Sequence, residues 1–314
     1  MALQFAVTSA LSIDQITFGG VERITIGSCG FYVALALARL GAEVLYAGAH
    51  GTDFPFEQMD VLRASSAEVA LCPLEGRNAH LRLVYDAVGD IVSVNYDEGV
   101  GSQFRVDHLP RDFWQAEVLW MGSAPLALQQ GITARGAQEG KRVYLSTQNE
   151  FAGRFEQLVE LVPHLSLLFI NSREVTKLQP GGLSANIHAL LRHRPELGMV
   201  ITRGGRGAWL IRDGWLYSAA AVPNPRIVNT IGAGDAFAAA FAWQEIQGAP
   251  PAACLRWAIT AATLSLREYA YFGLPSAAEV EHYLTAVSAD LTVEQMPLDS
   301  PEAQAAIESE AAVV

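Results

Sequence analysis

One stretch of the sequence organises the rest: Asn229-Thr230-Ile231-Gly232-Ala233-Gly234-Asp235-Ala236-Phe237. Residues 226–228 lead into it and a small, apolar run leads out, which predicts strand or loop, a tight glycine turn and a buried helix. Glycines at a helix start leave backbone N–H groups free, and these groups form an anion site. Asp235 beside them suits a base that deprotonates a hydroxyl while the amides hold a phosphoryl group. The alternative is a plain turn with Asp235 as a helix cap.

The longer string resembles the signature of the ribokinase-like (PfkB) family of sugar and nucleoside kinases, D-T-x-G-A-G-D-x-F, and only Asn229 departs from it. The resemblance implies an α/β fold, with a three-layer, doubly wound, mostly parallel sheet and a small β lid. It implies that Asp235 is the catalytic base and that the amides of Gly232, Ala233 and Gly234 form the anion hole. Further partial matches extend the resemblance over roughly residues 3–288.

Composition narrows the class of protein. The chain has 314 residues, half of them apolar, which is enough for one large α/β domain or two small ones. No apolar run approaches a membrane span, and no basic region precedes the first apolar residues. The three scattered cysteines predict a reducing, cytoplasmic location, and the net charge of −12 argues against nucleic acid as a partner. We therefore expect a cytoplasmic protein that binds neither nucleic acid nor a membrane.

The order of apolar segments predicts one core domain, and the resemblance implies that it is a single kinase domain over residues 1–290. Strand-like and helix-like stretches alternate from about residue 116, which predicts parallel crossovers and a doubly wound sheet. Alternating segments around a turn at residues 87–90 predict a β-hairpin, and the resemblance implies lid strands near residues 14–26 and 80–97. The acidic, weakly apolar segment 291–314 is predicted to be a peripheral helix or a mobile tail outside the site.

The acceptor end of the site is predicted near the start of the chain. Asp14 follows the first predicted strand, where an open parallel sheet binds ligands, although a turn residue is the alternative. The glycine loop at Gly27 resembles the family's G-G-x-x-x-N, with Ser28 for the second glycine and Tyr32 for the asparagine. The resemblance implies that these four residues contact the acceptor, as does Asn149 after a later strand. The Tyr32 ring could stack on a base, which favours a nucleoside-like ligand.

The nucleotide end is predicted after two further strands. Asn171 and Glu174 lie three residues apart, so a helix starting there would present both to one site, although a helix cap explains the pattern equally well. Thr202, Gly204 and Gly207 form a loop whose backbone could approach phosphate or ribose, or simply a hairpin turn. The resemblance implies that all five bind ATP, and that Glu174 acts on Mg²⁺ through water.

Two charge features modify this prediction. Arg203 or Arg206 could add positive charge to the nucleotide pocket. Asn229 replaces the carboxylate with which many relatives bind a monovalent cation, so potassium activation is not assumed.

These observations together predict an ATP-dependent kinase that phosphorylates a hydroxymethyl group of a sugar or nucleoside. Two alternatives stay open: a sugar-phosphate kinase, which needs a basic pocket for the second phosphate, and a non-catalytic relative that binds a nucleotide or sugar. A dinucleotide-binding oxidoreductase is disfavoured because no G-x-G-x-x-G follows the first strand. The resemblance also implies a homodimer formed through the lid.

Overall fold

The computed structural model describes residues 2–18, 20–85, 91–223, 227–287 and 291–314. The strands are β1 (Phe5–Thr8), β2 (Ser12–Phe18), β3 (Val21–Gly27), β4 (Val44–His50), β5 (Glu68–Pro73), β6 (Ala79–Tyr85), β7 (Ile91–Asp97), β8 (Val118–Met121), β9 (Arg142–Ser146), β10 (Leu167–Asn171), β11 (Gly198–Thr202), β12 (Ala208–Arg212), β13 (Trp215–Ala219) and β14 (Val293–Pro297). The helices are α1 (Cys29–Arg39), α2 (Asp60–Ala64), α3 (Leu126–Gln138), α4 (Phe155–Leu161), α5 (Ser172–Lys177), α6 (Gly182–His193), α7 (Ala233–Ile246), α8 (Pro251–Ser265), α9 (Ala277–Val287) and α10 (Pro301–Ala311). Within these ranges, no helix is both long and apolar enough to cross a membrane.

The larger sheet has the strand order β14-β13-β12-β11-β10-β9-β8-β1-β4-β5 among the strands described. Every neighbouring pair from β11 to β5 is parallel, and the pairs from β11 to β14 are antiparallel. Parallel neighbours need crossover connections, which the helices between the strands supply. The predicted doubly wound, mostly parallel α/β sheet is confirmed.

Helices cover both faces of this sheet and give it three layers. Alternate strand residues point to opposite faces. In β8, Val118 and Trp120 join the core under α1, α7 and α8, whereas Leu119 and Met121 join the core under α3, α4, α5, α6 and α10. The apolar run of this strand is therefore buried on both sides, which explains why it lacks the polar alternation of a surface strand.

A smaller sheet contains the stretches predicted for the lid. Its order is β3-β2-β6-β7, with β2 and β3 antiparallel, β2 and β6 parallel, and β6 and β7 antiparallel. Asp14 lies inside β2 and therefore belongs to this smaller sheet. It does not lie in a loop directly after β1, where the sequence suggested it. The predicted turn at residues 87–90, Gly19 of the first hairpin and Arg226 before the glycine turn lie outside the described residues.

Residues 291–314 form an edge of the larger sheet and a packed helix. The strand β14 pairs antiparallel with β13, in register from Trp215 opposite Pro297 to Ala219 opposite Val293. The Ser300 side chain then accepts a hydrogen bond from the amide of Ala303 and caps α10. The sequence predicted either a peripheral helix or a mobile tail, and residues 301–311 form a helix. Apolar side chains of the segment reach the core, so the segment is part of the packed fold.

Candidate active site

The glycine turn begins α7 as the sequence predicts. Gly232 precedes the first helical residue with a φ of +80°, a backbone conformation that favours glycine. The Asn229 side chain accepts a 2.7 Å hydrogen bond from the amide of Ile231, and the amide of Ala233 donates to the Thr230 carbonyl at 3.3 Å. The Asn229 amide oxygen thus shapes the turn, a role that does not require the charge of an aspartate.

Three backbone N–H groups in this turn have no hydrogen-bond acceptor among the described residues: those of Gly232, Gly234 and Asp235. They lie at the positive end of the α7 dipole, so together they can bind an anion. The sequence predicted an anion site made by the amides of Gly232, Ala233 and Gly234, and one of these three differs in the structure. The Ala233 amide already donates within the turn, whereas the amide of Asp235 is free.

The Asp235 carboxylate is partly buried in the first turn of α7. Burial raises its pKa from 3.8 to about 7. No hydrogen-bond donor satisfies this carboxylate in the part of the chain that the structure describes. A carboxylate that titrates near neutral pH is better suited to accept a proton than one of ordinary acidity.

A cavity of about 630 Å³ joins the glycine turn to the loop after β11. The predicted residues Thr202, Gly204, Gly207, Ala233 and Gly234 all line it. Much of the remaining wall is apolar and comes from residues around α7 and α8: Val222, Ile227, Phe237, Ile259, Ala262 and Leu266. An apolar wall opposite free amides is the arrangement that a nucleoside phosphate needs for its base and its phosphates.

Glycine at position 207 is required by the packing of this loop. Its φ is +97°, and a Cβ atom there would lie 2.0 Å from the carbonyl oxygen of Ala219. The amide of Arg203 donates to the Gly207 carbonyl at 2.8 Å and closes the turn between β11 and β12. The predicted hairpin and the predicted cavity loop are therefore the same feature.

The two arginines of this loop do not serve the cavity as the sequence suggested. Both guanidinium groups lie against Glu310 of α10, at 2.6 Å for Arg206 and 3.8 Å for Arg203. Sequence reasoning missed Glu310, and no local pattern marks it, because its partners lie more than a hundred residues away.

Asn171 and Glu174 form a capping box at the start of α5. The Asn171 side chain accepts from the Glu174 amide at 2.9 Å, and the Glu174 carboxylate accepts from the Asn171 amide at 3.3 Å and from the Thr147 hydroxyl at 2.6 Å. Burial raises the pKa of Glu174. The helix-cap alternative is therefore present, and it leaves a metal role open. Thr147 directly follows β9, so the strand-end rule that was applied to Asp14 could have found it.

The oxygen atoms of Asn171 and Glu174 fit Mg²⁺ only if water and substrate phosphates supply its other ligands. No cluster of three or more His, Cys, Asp or Glu side chains that could hold a metal occurs in the described ranges. Glu174 and Asn171 offer hard oxygen atoms, which suit Mg²⁺ when waters and substrate phosphates complete its shell. A contact through water with Glu174 is consistent with this donor set.

At the acceptor end, Asp14 and Gly27 depend on each other. Their strands are adjacent, and a Cβ atom at Gly27 would lie 1.9 Å from Oδ2 of Asp14. Asp14 is 7% exposed and accepts a 2.6 Å hydrogen bond from the Ser12 hydroxyl. Burial raises its pKa to about 6, with the Ser12 hydrogen bond opposing the shift. The glycine thus makes room for a buried carboxylate that is mostly ionised at neutral pH.

Ser28 connects β3 to α1 in a conformation that favours glycine. Its φ is +113°, and its hydroxyl is hydrogen-bonded to the hydroxyl of Ser9. Gly30 follows closely against Ser9, since a Cβ there would lie 2.3 Å from Oγ of Ser9. The positive φ gives a physical reason for glycine as the residue that the family signature has in place of Ser28.

Tyr32 packs on the glycine turn. A Cβ atom at Gly232 would lie 2.5 Å from the Tyr32 ring, which also makes edge contacts with Phe31 and Tyr271. The residue is 3% exposed, so the ring offers no open face for a base and the suggested stacking is wrong. Its hydroxyl is buried without a hydrogen-bond partner in the described structure.

Tyr32 also connects the two ends of the site electrostatically. Burial raises the pKa of its hydroxyl, and the nearby charges of Asp14 and Asp235 raise it further. Both carboxylates are therefore close enough to the Tyr32 hydroxyl to act on its pKa.

A second cavity, of about 500 Å³, lies where β1, β8 and β9 end beneath the smaller sheet. Asn149 lines it with a φ of +64°, and Tyr96 and Glu98 approach from the end of β7. Glu150 also lines it, accepts a hydrogen bond from the amide of Gln148, and has its pKa raised to about 7 by burial. Sequence reasoning missed Glu150, although it directly follows Asn149 at the same strand end.

Free amides and a carboxylate at one helix start are suited to binding an anionic group and accepting a proton beside it. The family model described as pfkB family carbohydrate kinase matches residues 25–272. The chain therefore belongs to the pfkB family of carbohydrate kinases. It is accordingly a sugar or nucleoside kinase, a phosphotransferase with an alcohol group as acceptor, as the sequence predicted.

Individual relatives support the family and the fold. The chain is 27% identical over 274 residues to a cytidine kinase of Thermococcus kodakarensis, covering 85% of this chain and 97% of the relative. It is 25% identical over 278 residues to a 1-phosphofructokinase of Vibrio cholerae, covering 82% and 85%. Ribokinase of Arabidopsis thaliana, solved with ribose and ATP, superposes with a TM-score of 0.78 at 19% identity over 90% of this chain and 99% of that one. The predicted ribokinase-like fold is confirmed.

Proposed function

We propose that this kinase uses ATP to phosphorylate a hydroxymethyl group of a sugar or nucleoside, with Asp235 as the base. One observation carries the proposal: a partly buried carboxylate with a pKa raised to about 7 shares a helix start with free amides. The same turn borders the larger cavity through Gly234 and touches the acceptor end through Gly232 and Tyr32. The proposed nucleotide and acceptor sites therefore meet at the turn that carries Asp235.

In the proposed reaction, the oxygen of the acceptor hydroxyl bonds to the terminal phosphorus of ATP, and Asp235 accepts the proton of that hydroxyl. The bond between that phosphorus and the oxygen of ADP breaks, and the electron pair leaves with ADP. The free amides of Gly232, Gly234 and Asp235 stabilise the negative charge on the transferred group. Mg²⁺, when bound, would neutralise phosphate charge, with Glu174 orienting its waters.

The charge of the second cavity favours an acceptor without a phosphate. Of the charged side chains that line it in the described structure, Glu98 and Glu150 are acidic and Arg154 is basic. Asp14, also acidic, lies in the same small sheet. A phosphate would find one basic side chain, Arg154, among the described lining residues, beside Glu98 and the partly ionised Glu150. The cytidine kinase relative is therefore a better guide to the acceptor than the 1-phosphofructokinase relative.

The proposal is tested by measuring ADP formation with Mg²⁺ATP and a panel of ribose, fructose, adenosine, cytidine, inosine and their phosphates. We expect turnover with an unphosphorylated sugar or nucleoside. Turnover only with sugar phosphates would select that alternative. ATP binding without turnover of any member of the panel would favour the non-catalytic alternative. The Asp235 carboxylate, with its pKa near neutral, argues against that alternative.

We expect Glu174→Gln to raise the Mg²⁺ concentration needed for half-maximal activity and to lower kcat, with the acceptor KM little changed. A glutamine can still close the capping box with Asn171, so the helix start is kept while the charge that orients the metal's waters is lost. A Mg²⁺ titration of the variant beside the wild type measures the effect.

Glu174→Ala is the matched comparison, because it removes both the cap and the charge and should also lower the Tm. If Glu174→Gln leaves the Mg²⁺ titration unchanged, Glu174 is a helix cap and nothing more.

We also propose that the smaller sheet acts as the lid and pairs with a second copy of the chain. Val92 and Val94 share one face of β7 with Tyr96, which lines the second cavity; the two valines do not line that cavity, and each is more than half exposed. A contiguous apolar row on a sheet face is typical of a contact surface.

Val94→Asp is expected to convert a dimer into a monomer in sedimentation velocity, because it places a charge in that row. Ser93→Asp adds the same charge to the opposite face of β7 and should leave the dimer intact. A monomeric wild type at micromolar concentration contradicts the proposal.

A further inference from the structure

The segment beyond the matched family region supports the loop after β11. The family match ends at residue 272, and the chain continues through α9, β14 and α10. Along α10, Ala303, Ile307 and Glu310 are spaced by four and three residues, so they lie on one helix face, and all three are buried. The same period that buries the apolar residues therefore carries a carboxylate into the packed interior.

Glu310 is bound by three side chains. One oxygen accepts from the Ser172 hydroxyl at 2.7 Å and from Nη2 of Arg206 at 2.6 Å, while the other accepts from Nε of Arg206 at 2.8 Å. Nη1 of Arg203 lies 3.8 Å away, and the Glu310 side chain is 1% exposed. This is a bidentate, charge-assisted pairing, which is directional. The Glu310 carboxylate is buried, whereas the Arg206 side chain is 44% exposed.

The pKa of Glu310 indicates that its carboxylate is ionised in this pairing. Burial alone would raise the pKa of Glu310, but the hydrogen bonds from Arg206 and Ser172 and the charges of both arginines hold it below its usual range. The carboxylate is thus ionised throughout the neutral range.

The partners of Glu310 belong to the two segments that carry the proposed nucleotide residues. Ser172 is the first residue of α5, directly after Asn171 of the capping box. Arg206 lies in the short turn between Gly204 and Gly207, whose glycines line the larger cavity. One carboxylate therefore joins both segments, and neither it nor its partners Arg206 and Ser172 are among the described residues that line the cavity.

Arg203 strengthens the same connection. Its Nη2 donates to the Arg206 carbonyl at 2.8 Å, and its guanidinium carbon lies 4.4 Å from the centre of the Trp209 ring. Three of the five residues from 203 to 207 are glycines, which have little conformational preference of their own. The loop therefore depends on contacts of its two arginines to hold one conformation.

We propose that Glu310 is a positioning residue for the nucleotide loop, and that α10 acts as a clamp which holds residues 202–207 and 171–174 in register. The inference rests on the proposed function of these segments as the ATP site. Glu310 contacts no reacting atom; it acts through Arg206 and Ser172.

Glu310→Gln is expected to raise the KM for ATP by about tenfold while the acceptor KM stays within about twofold, because the loop loses the charge that fixes its arginines. Glu308→Gln, an exposed change of the same kind on the same helix, should leave both constants unchanged. A residue that served stability alone would lower the Tm and leave the KM for ATP unaffected at temperatures well below unfolding.

Milder variants guard against loss of folding. Ser172→Ala keeps all charges and should raise the KM for ATP by only about threefold. In an Arg206→Gln background, Glu310→Gln should add less than about twofold, since the pair that it breaks is already gone. Fully additive effects would overturn the proposed route through Arg206.

Hydrogen exchange in the absence of nucleotide separates this inference from the proposed function. Glu310→Gln should speed exchange at residues 202–207 and 171–174 and leave residues 229–237 unchanged. Unchanged exchange in the first two segments, or an acceptor KM that rises as much as the KM for ATP, would overturn the clamp. A wild type that binds no ATP would instead refute the proposed function, and the exchange result would still decide whether Glu310 orders these segments.

Discussion

Asp235→Asn is expected to lower kcat by about 10²–10⁴-fold, the usual range for loss of a general base. The side chain keeps its shape and the free amides of the turn remain, so ATP binding should be nearly unchanged. The Tm at neutral pH should be unchanged or higher, because the raised pKa means that the ionised carboxylate disfavours folding. Initial rates with the best acceptor, together with ATP titration by calorimetry, measure both parts of the prediction.

The pH profile gives an independent reading of the same residue. Because burial raises the pKa of Asp235 to about 7, the protonated and inactive form dominates below that pH. We expect kcat/KM to rise through about pH 7 to a plateau, and the small residual rate of Asp235→Asn to lack this limb.

Asp213→Asn is the matched control, since Asp213 is exposed in a turn and has a φ of +52°, which asparagine also tolerates. It should retain wild-type rates and the same pH profile. An Asp235→Asn enzyme within about threefold of wild-type kcat/KM would remove Asp235 from the role of base.

Asp14→Ala is expected to lower kcat/KM for a diol-bearing acceptor. The loss should correspond to about 2–4 kcal/mol of transition-state stabilisation, the scale of charge-assisted hydrogen bonds lost from a binding site. An ionised carboxylate can accept from two neighbouring hydroxyls at once. ATP affinity should hardly change, because Asp14 is not among the described residues that line the proposed nucleotide cavity. Steady-state kinetics with each substrate varied in turn measures the two effects separately.

Stability should not fall in this variant. Burial raises the pKa of Asp14 from 3.8 to about 6, so its ionised form disfavours folding as pH rises through that interval. Removing it should leave the Tm at neutral pH unchanged or higher. Glu22→Ala, an exposed change on the neighbouring β3, should alter neither acceptor use nor stability. Equal losses of ATP binding and acceptor use in Asp14→Ala would mean that the acceptor end is misplaced.

The sequence was a good guide to the parallel strands and a poor one to the sheet edge. Short apolar runs such as residues 117–122 stand out because both faces of a central strand are buried. Residues 215–219 and 293–297 carry mixed, partly exposed side chains, and their pairing depends on each other across a long separation. No local pattern encodes such a pairing.

The site shows the same division between local and distant causes. Turn chemistry is local, so residues 229–237 predicted the helix start and the free amides. The engagement of the Ala233 amide depends on the fine geometry of the turn, and the packing of Tyr32 on Gly232 depends on tertiary contact. Glu310 lies 138 residues from Ser172 in the sequence, and only the fold brings the two together.

The pairing of β14 with β13 has a consequence for synthesis of the protein. The strand β13 is complete at Ala219, but its partner begins at Val293 and the helix that holds the nucleotide loop follows later still. At about 5–20 residues per second, a growing chain leaves this edge unpaired for several seconds. During that interval the nascent protein presents an open strand edge, where a ribosome-bound chaperone would act and where aggregation would begin.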